Sequence, residues 1–198
     1  FITEGRYEVD DFVGYDGTKW VLKDGVSDAS EVIGADAVRP GGLKLRDLND
    51  DHAITEDDKT IIGDANPVHT GGFTLSGYYK GFDLSANFTW SYGNDIYNAD
   101  KIEFTSPTKY EFRNMITTMA EGKRWNNLNS DGTICNDPAK LTEMNASTTM
   151  WSPFMKKSVF HSWAVEDGSF LRLNTLTIGY SLPQNLLKKV YISNLRVY

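Results

Sequence analysis

A single cysteine, Cys135, among 198 residues excludes an intrachain disulfide framework and a multi-cysteine zinc site, and leaves a spare thiol. Positive charge is also scarce. Twenty Lys and Arg stand against 27 Asp and Glu, for a net charge of -7 and a pI near 4.9. That balance removes the basic stripe on which nucleic-acid binding depends. Long apolar runs are missing, and with a mean hydropathy of -0.42 no segment qualifies as a transmembrane helix. A transmembrane β-barrel survives this test, because its strands need only alternate apolar and polar residues over about ten positions. The three histidines, His52, His69 and His161, lie far apart, and no metalloprotease, serine-hydrolase or phosphate-loop motif accompanies them. Glu166 and Asp167 are neighbours on a candidate strand and so point to opposite faces, which argues against an acid/base pair. These absences favour a protein that is not an enzyme. The sequence opens on Phe1 with no Met, basic segment or apolar leader, which reads as a start removed by processing or truncation. What is abundant is aromatic (13%) and glycine (17 residues), a composition that favours β structure with long loops.

The clearest periodicity lies between residues 72 and 92. Phe82, Leu84, Ala86, Phe88 and Trp90 alternate with Asp83, Ser85, Asn87, Thr89 and Ser91. Phe73, Leu75, Gly77 and Tyr79 precede them, and Lys80-Gly81 predicts a tight hairpin in which Gly takes a positive φ. A third pattern sets Leu176, Ile178, Tyr180 and Leu182 against Thr175, Thr177, Gly179 and Ser181, and Ile192, Leu195, Val197 and Tyr198 begin a further strand. Shorter strands are expected around residues 7–13 and 19–23, with an Asp16-Gly17 turn between them, and at 43–45. Between residues 93 and 162 periodicity is weak, apart from a helix-like piece over 109–121 in which Tyr110, Phe112, Met115, Ile116 and Met119 share a face. Connections thus run long, very short, very long, short, which is the parity of an outer-membrane barrel with short periplasmic turns and long outer loops. A soluble sandwich hairpin shows the same alternation with its apolar face inward.

Four stretches resemble the SusC/RagA-type TonB-dependent outer-membrane transporters. They are Leu45-Arg46-Asp47-Leu48-Asn49-Asp50-Asp51 through Asp58-Lys59-Thr60-Ile61-Ile62-Gly63-Asp64-Ala65-Asn66-Pro67, then Tyr79-Lys80-Gly81-Phe82-Asp83-Leu84-Ser85, then Tyr92-Gly93-Asn94-Asp95-Ile96-Tyr97-Asn98, and finally Val165 to Leu173 with Leu176 to Tyr180. They occur in the family's order and cover most of residues 40–198. The resemblance implies an all-β fold: antiparallel strands of a large transmembrane β-barrel with long extracellular loops, of which this chain is a C-terminal fragment. Residues 1–72 then read as mainly extracellular loop, 73–92 as a transmembrane hairpin, 93–162 as a long extracellular loop, and 163–198 as further strands with a short periplasmic turn. It also implies import of oligosaccharides or peptides at the bacterial outer membrane. The implied partners are a SusD-like surface lipoprotein, outer-membrane lipid, and the TonB complex acting through N-terminal regions that these residues lack; nucleic acid is not among them. The alternative is a soluble β-sandwich carbohydrate-binding module with a calcium loop.

Candidate site residues fall into three groups. Asp47, Asn49, Asp51, the Ala53 position and Asp58 follow the spacing of an EF-hand or dockerin-like loop, with apolar Ile54 at the eighth position, so Ca2+ is the expected cofactor if the oxygens form a cage. His52 stands where such loops carry Gly, and a metal-free acidic turn fits the same residues. Trp125, Trp151 and Trp163 sit among Asn, Ser and Asp and are candidates for substrate or partner contact, or for pinning the long loop together. Trp90 and Tyr92 close a strand near its outer end, as membrane-interface aromatics do.

Overall fold

The structure is a computed structural model and describes residues 1–107, 113–155 and 157–198. In chain order its strands are β1 (Thr3–Arg6), β2 (Phe12–Tyr15), β3 (Trp20–Leu22), β4 (Leu43–Leu45), β5 (His69–Tyr79), β6 (Phe82–Tyr92), β7 (Asp95–Tyr97), β8 (Val165–Asp167), β9 (Phe170–Ser181) and β10 (Arg196–Val197). Short helices α1 (Ser30–Ile33), α2 (Ala99–Glu103), α3 (Pro138–Met144) and α4 (Gln184–Leu187) intervene, and none is long and apolar enough to cross a membrane. Two compact units result. The first comprises residues 1–63 and 97–166, the second 64–96 and 167–198.

In the second unit one antiparallel sheet runs in the order β10-β9-β6-β5. Strands β5 and β6 pair residue for residue from His69↔Tyr92 to Tyr79↔Phe82. Lys80 and Gly81 turn the chain with φ of 48° and 90°, the doubly positive geometry whose twist matches a hairpin. Strand β9 lies on the other side of β6, and between the pairs Asn87↔Thr175 and Phe88↔Leu173 it carries one extra residue, Asn174. This bulge resets the alternation of β9, so that Leu171 and Leu173 before it and Leu176 and Ile178 after it lie on one face. That face also carries Phe73, Leu75, Phe82, Leu84, Phe88 and Trp90, and it is uncovered: Leu75, Leu84, Leu171, Leu176 and Ile178 remain between 45 and 66% exposed.

The opposite face is polar. The Asn87 amide donates to the Thr74 hydroxyl at 2.9 Å, and the Asn174 amide donates to Thr89 Oγ1 at 3.1 Å. Further along, Gly179 pairs with Asp83, and the Asp83 carboxylate crosses over it to the Arg196 guanidinium on β10, with Arg196 Nε 3.1 Å from Oδ1. A Cβ at Gly179 would sit 2.7 Å from both carboxylate oxygens, so the missing side chain is what lets this ion pair form.

The first unit is built differently. Strand β1 pairs with β4, β2 with β3, and small helices close a core of Tyr7, Phe12, Trp20, Ile33, Leu43, Leu45, Ile54, Met119, Trp125, Leu141 and Trp151. Tyr7, fully buried, donates its hydroxyl to the Ser27 carbonyl at 2.6 Å and accepts the Ala29 amide. Among the described residues strands are the main regular element, and they form no closed barrel. Within the stretches expected as extracellular loop, 1–72 and 93–162, residues 1–54 and 119–159 contribute the side chains of this packed core. Of the expected helix over 109–121, residues 109–112 lie outside the described residues, and the rest supplies only a turn, Thr117–Met119, that buries Met119. Helix α3 was not expected from the sequence. Asp137 caps it by accepting the Ala139 and Lys140 amides, with Pro138 at its first position.

Candidate functional site

The acidic loop is held by its own amides. Asp47 Oδ1 accepts the Asp50 amide and Oδ2 the His52 amide, each at 2.8 Å, and Asp51 Oδ1 accepts the Ala53 amide at 2.9 Å. His52 takes the positive φ of a glycine, 63°, as does Asp50 at 59°. Partial desolvation of Asp47 opposes ionisation, yet donation from the His52 amide, the Ser27 hydroxyl and the Asp50 and Asn49 amides outweighs it and holds this carboxyl below the ordinary range. Asp58 departs from the role of terminal cation ligand. It is fully buried, and its two oxygens accept the Leu48 amide at 2.7 Å and the Thr55 amide at 2.8 Å, so it caps the turn from inside. Among the described residues no three carboxylate, imidazole or thiol groups are placed to hold a metal ion. The oxygen donors are those a hard cation prefers, but in this conformation the loop spends them on backbone N–H groups.

The three tryptophans do not form one platform. Trp125 is 2% exposed, with the Arg6 guanidinium 4.6 Å above its ring and Gly41 pressed so close that a Cβ would overlap the indole. Trp151 is equally buried and meets His161 and Trp163 edge-on, at 5.4 and 4.9 Å between ring centroids. Both rings are corrected from ligand contacts to core: their faces are covered and leave nothing for a ligand to stack on. Trp163 is partly exposed, and the Lys101 ammonium occupies its face at 4.3 Å while donating to the Trp163 carbonyl at 2.8 Å and pairing with Glu166 at 3.0 Å. Sequence reasoning set His161 aside with the other scattered histidines; it fills the space beside Trp151 and Trp163, and its Nδ1 has no hydrogen-bond partner among the described residues. Burial, ahead of the neighbouring positive charge of Lys101, pushes its pKa down to about 4.

Two open clefts mark the surface of the first unit. One, of about 490 Å3, is lined by Phe1, Glu31, Val32, Lys59 and Phe160, and the other, of about 530 Å3, by Arg6, Glu8, Asp11, Lys44 and Thr148. The charges of the second are satisfied internally, by the pairs Arg6–Glu8 and Lys44–Asp11, both at 2.8 Å.

Trp90 and Tyr92 lie on the apolar face of the sheet at the end remote from Lys80-Gly81. The Trp90 indole N–H donates to His69 Nδ1 at 3.0 Å, and the His69 ring stacks on Tyr92 at 5.1 Å. Amphipathic rings thus gather at one end of the exposed apolar face, and Tyr79, Phe82 and Tyr180 gather at the other. Two-sided exposure, with one apolar and one hydrogen-bonding face, is the physical character of this sheet.

No family model matches the chain. Among curated proteins it is 30% identical to TonB-dependent receptor P3 of Formosa agariphila over 159 residues, 80% of its length. Identity is 29% to TonB-dependent receptor P26 and 28% to TonB-dependent receptor P39 of the same organism, again over 159 residues. The chain spans 14% of the length of these relatives. Among solved structures, the RagAB peptide importer in its closed-closed state is similar over 98% of the chain and 17% of its own, at 24% identity and a TM-score of 0.51. A second structure of the RagAB peptide transporter gives 22% identity over 98% of the chain and 18% of its own, with a TM-score of 0.50. These likenesses establish a shared fold.

Proposed function

The chain belongs to the family of the TonB-dependent receptors, and we propose that it forms part of the wall and of the outer loops of an outer-membrane barrel that imports oligosaccharides or peptides. One observation carries the reading: the four-stranded sheet leaves a continuous apolar face exposed between two ends rich in aromatic rings, while its other face is a hydrogen-bonded surface of Asn, Thr and Ser. In water such a face is a liability. Against hydrocarbon it is the outer wall of a barrel, and the polar face then lines the lumen. The free edge of β5 and the two-residue pairing of β10 are where further strands would continue the wall. Short turns at one end of the strands and the long excursion through residues 97–166 at the other support reading the turn end as periplasmic and that excursion as outer loop.

Cargo passes without bond chemistry in this reading, gated by outer loops and a SusD-like lipoprotein and energised by TonB. A soluble carbohydrate-binding sandwich is disfavoured, since it would bury the face that stays exposed here. Fractionation of the full-length protein tests the proposal. It should sediment with outer membranes and leave them only in detergent; recovery in the soluble fraction without detergent would sink it.

A further inference from the structure

Charge is distributed unevenly along the strands of the second unit. At the end away from the turns stand Asp64, Asp95 and Asp167, with the Asp64 amide bonded to the Asp95 carboxylate at 2.8 Å. At the turn end the one carboxylate, Asp83, is consumed by Arg196, which leaves Lys80, Lys188 and Lys189 as a net positive group. The register puts these lysines together at one end of the sheet. The Ser181 amide donates to the Gly81 carbonyl at 2.8 Å, so the turn at 80–81 lies beside the end of β9, and the chain runs directly from there through α4 into the 3-10 turn Lys188–Val190. All three lysines are exposed, and no carboxylate among the described residues pairs with them. The Lys80 ammonium lies instead 5.2 Å from the Tyr79 ring, on the apolar side of the sheet.

Apolar and phenolic side chains surround this positive group. Leu186, Ile192 and Leu195 are each more than 40% exposed, and Tyr191 projects almost wholly into solvent from a backbone with φ of 58°. Exposed Leu and Ile beside paired lysines and free tyrosines is the composition of a segment at a membrane interface, where hydrocarbon lies on one side and phosphate on the other. Tyr79 and Tyr180, which flank Phe82, mark the turn end of the sheet's apolar face.

We infer that the turn end of this sheet is a binding surface for the phosphate headgroups of anionic phospholipid, with Lys80, Lys188 and Lys189 facing the phosphates and Leu186, Tyr191 and Ile192 seated at the acyl boundary. The inference rests on the membrane reading above and commits it to one lipid chemistry at one rim. It is tested on the full-length protein, reconstituted into nanodiscs of phosphatidylethanolamine alone or with phosphatidylglycerol added, by native mass spectrometry of the lipids that stay bound after detergent release. Wild type should retain phosphatidylglycerol in preference to phosphatidylethanolamine, and the triple variant Lys80→Gln, Lys188→Gln, Lys189→Gln should reduce that preference by about tenfold or more, since each lysine near an anionic surface is worth roughly fivefold. Lys→Arg replacement at the same three positions should preserve it, which separates charge from side-chain shape. Equal retention of both lipids by wild type, or an unchanged preference in the glutamine variant, would overturn the inference. So would displacement of the bound lipid by inorganic phosphate, which would mark a soluble anion as the occupant. A protein that needs detergent yet shows no lipid preference refutes this inference alone, whereas one that needs no detergent refutes the membrane reading with it.

Discussion

At the scale of single residues, the acidic loop shows how far spacing alone can be trusted. Asp47, Asn49, Asp51 and Ile54 lie where a calcium loop would have them, and His52 accepts the backbone torsion that such a loop reserves for glycine. What the spacing did not reveal is that Asp58 turns inward to cap the Leu48 and Thr55 amides. The loop's carboxylates are thus already engaged by its own amides. Melting of the full-length protein should be the same with calcium as with chelator, and Asp47→Ala should lower it in both by the equivalent of about 1–3 kcal/mol, the cost of orphaned amides. A calcium-dependent rise in melting temperature that disappears in Asp47→Ala and Asp51→Ala would restore the cation cage. His161 gives a prediction of opposite kind. Its folded pKa of about 4 lies below the ordinary histidine value of 6.5, so the folded form binds fewer protons than the unfolded chain. Its contribution to stability is complete above about pH 6.5 and is lost as the pH falls toward 4, on the order of 1–3 kcal/mol in all. Comparing acid denaturation of wild type with His161→Phe checks this: the variant's profile should be flatter over that window, and parallel profiles would refute the assignment.

At the scale of elements, the strands were legible wherever one face met a uniform environment. Strict alternation from Phe82 to Ser91 marked β6, because every second residue on it meets the same surroundings. Strand β9 was only half visible: its pattern was read from Thr175 onward, since Asn174 breaks the period of two and hides the continuity with Leu171 and Leu173. Helix α3 was missed for a different reason, in that Asp137-Pro138 punctuates a chain equally well as a break or as a cap followed by a first helical turn. The bulge makes a prediction about deletions. Removing Asn174 leaves Leu171, Leu173, Leu176 and Ile178 on one face and forfeits only the bonds of its own amide and the local twist, so the folded sheet should survive with a modest fall in melting temperature. Removing Ser85 from bulge-free β6 turns every residue on one side of the cut to the wrong face. Heat-modifiable migration on gels reads both, and equal damage from the two deletions would count against the register described here.

At the scale of the whole chain, the two units ask for different solvents. The first buries Tyr7, Trp20, Trp125 and Trp151 in a core; its short strands near 12–15, 20–22 and 43–45 were legible, but their joining into one core was not, because short strands and turns separated by long sequence intervals leave no period to read. The second exposes its apolar residues by design of its alternation. Of the five tryptophans only Trp90 belongs to it. Reconstituted with brominated phospholipid, the full-length protein should therefore show a quenchable component of tryptophan emission that Trp90→Phe diminishes, while Trp125→Phe and Trp151→Phe leave it unchanged. Quenching that ignores Trp90 would mean that lipid lies elsewhere. The division of the chain also orders events in time. Hairpin β5–β6 closes over two residues and can form as soon as both strands are available, but the β6–β9 ladder joins segments separated by the whole of 97–166, and closing that interval costs conformational entropy before any pairing repays it. A first unit that condenses early shortens the effective distance between Tyr92 and Phe170. Condensation of the core packed around Trp125 and Trp151 would then set when β6 finds its second neighbour, β9.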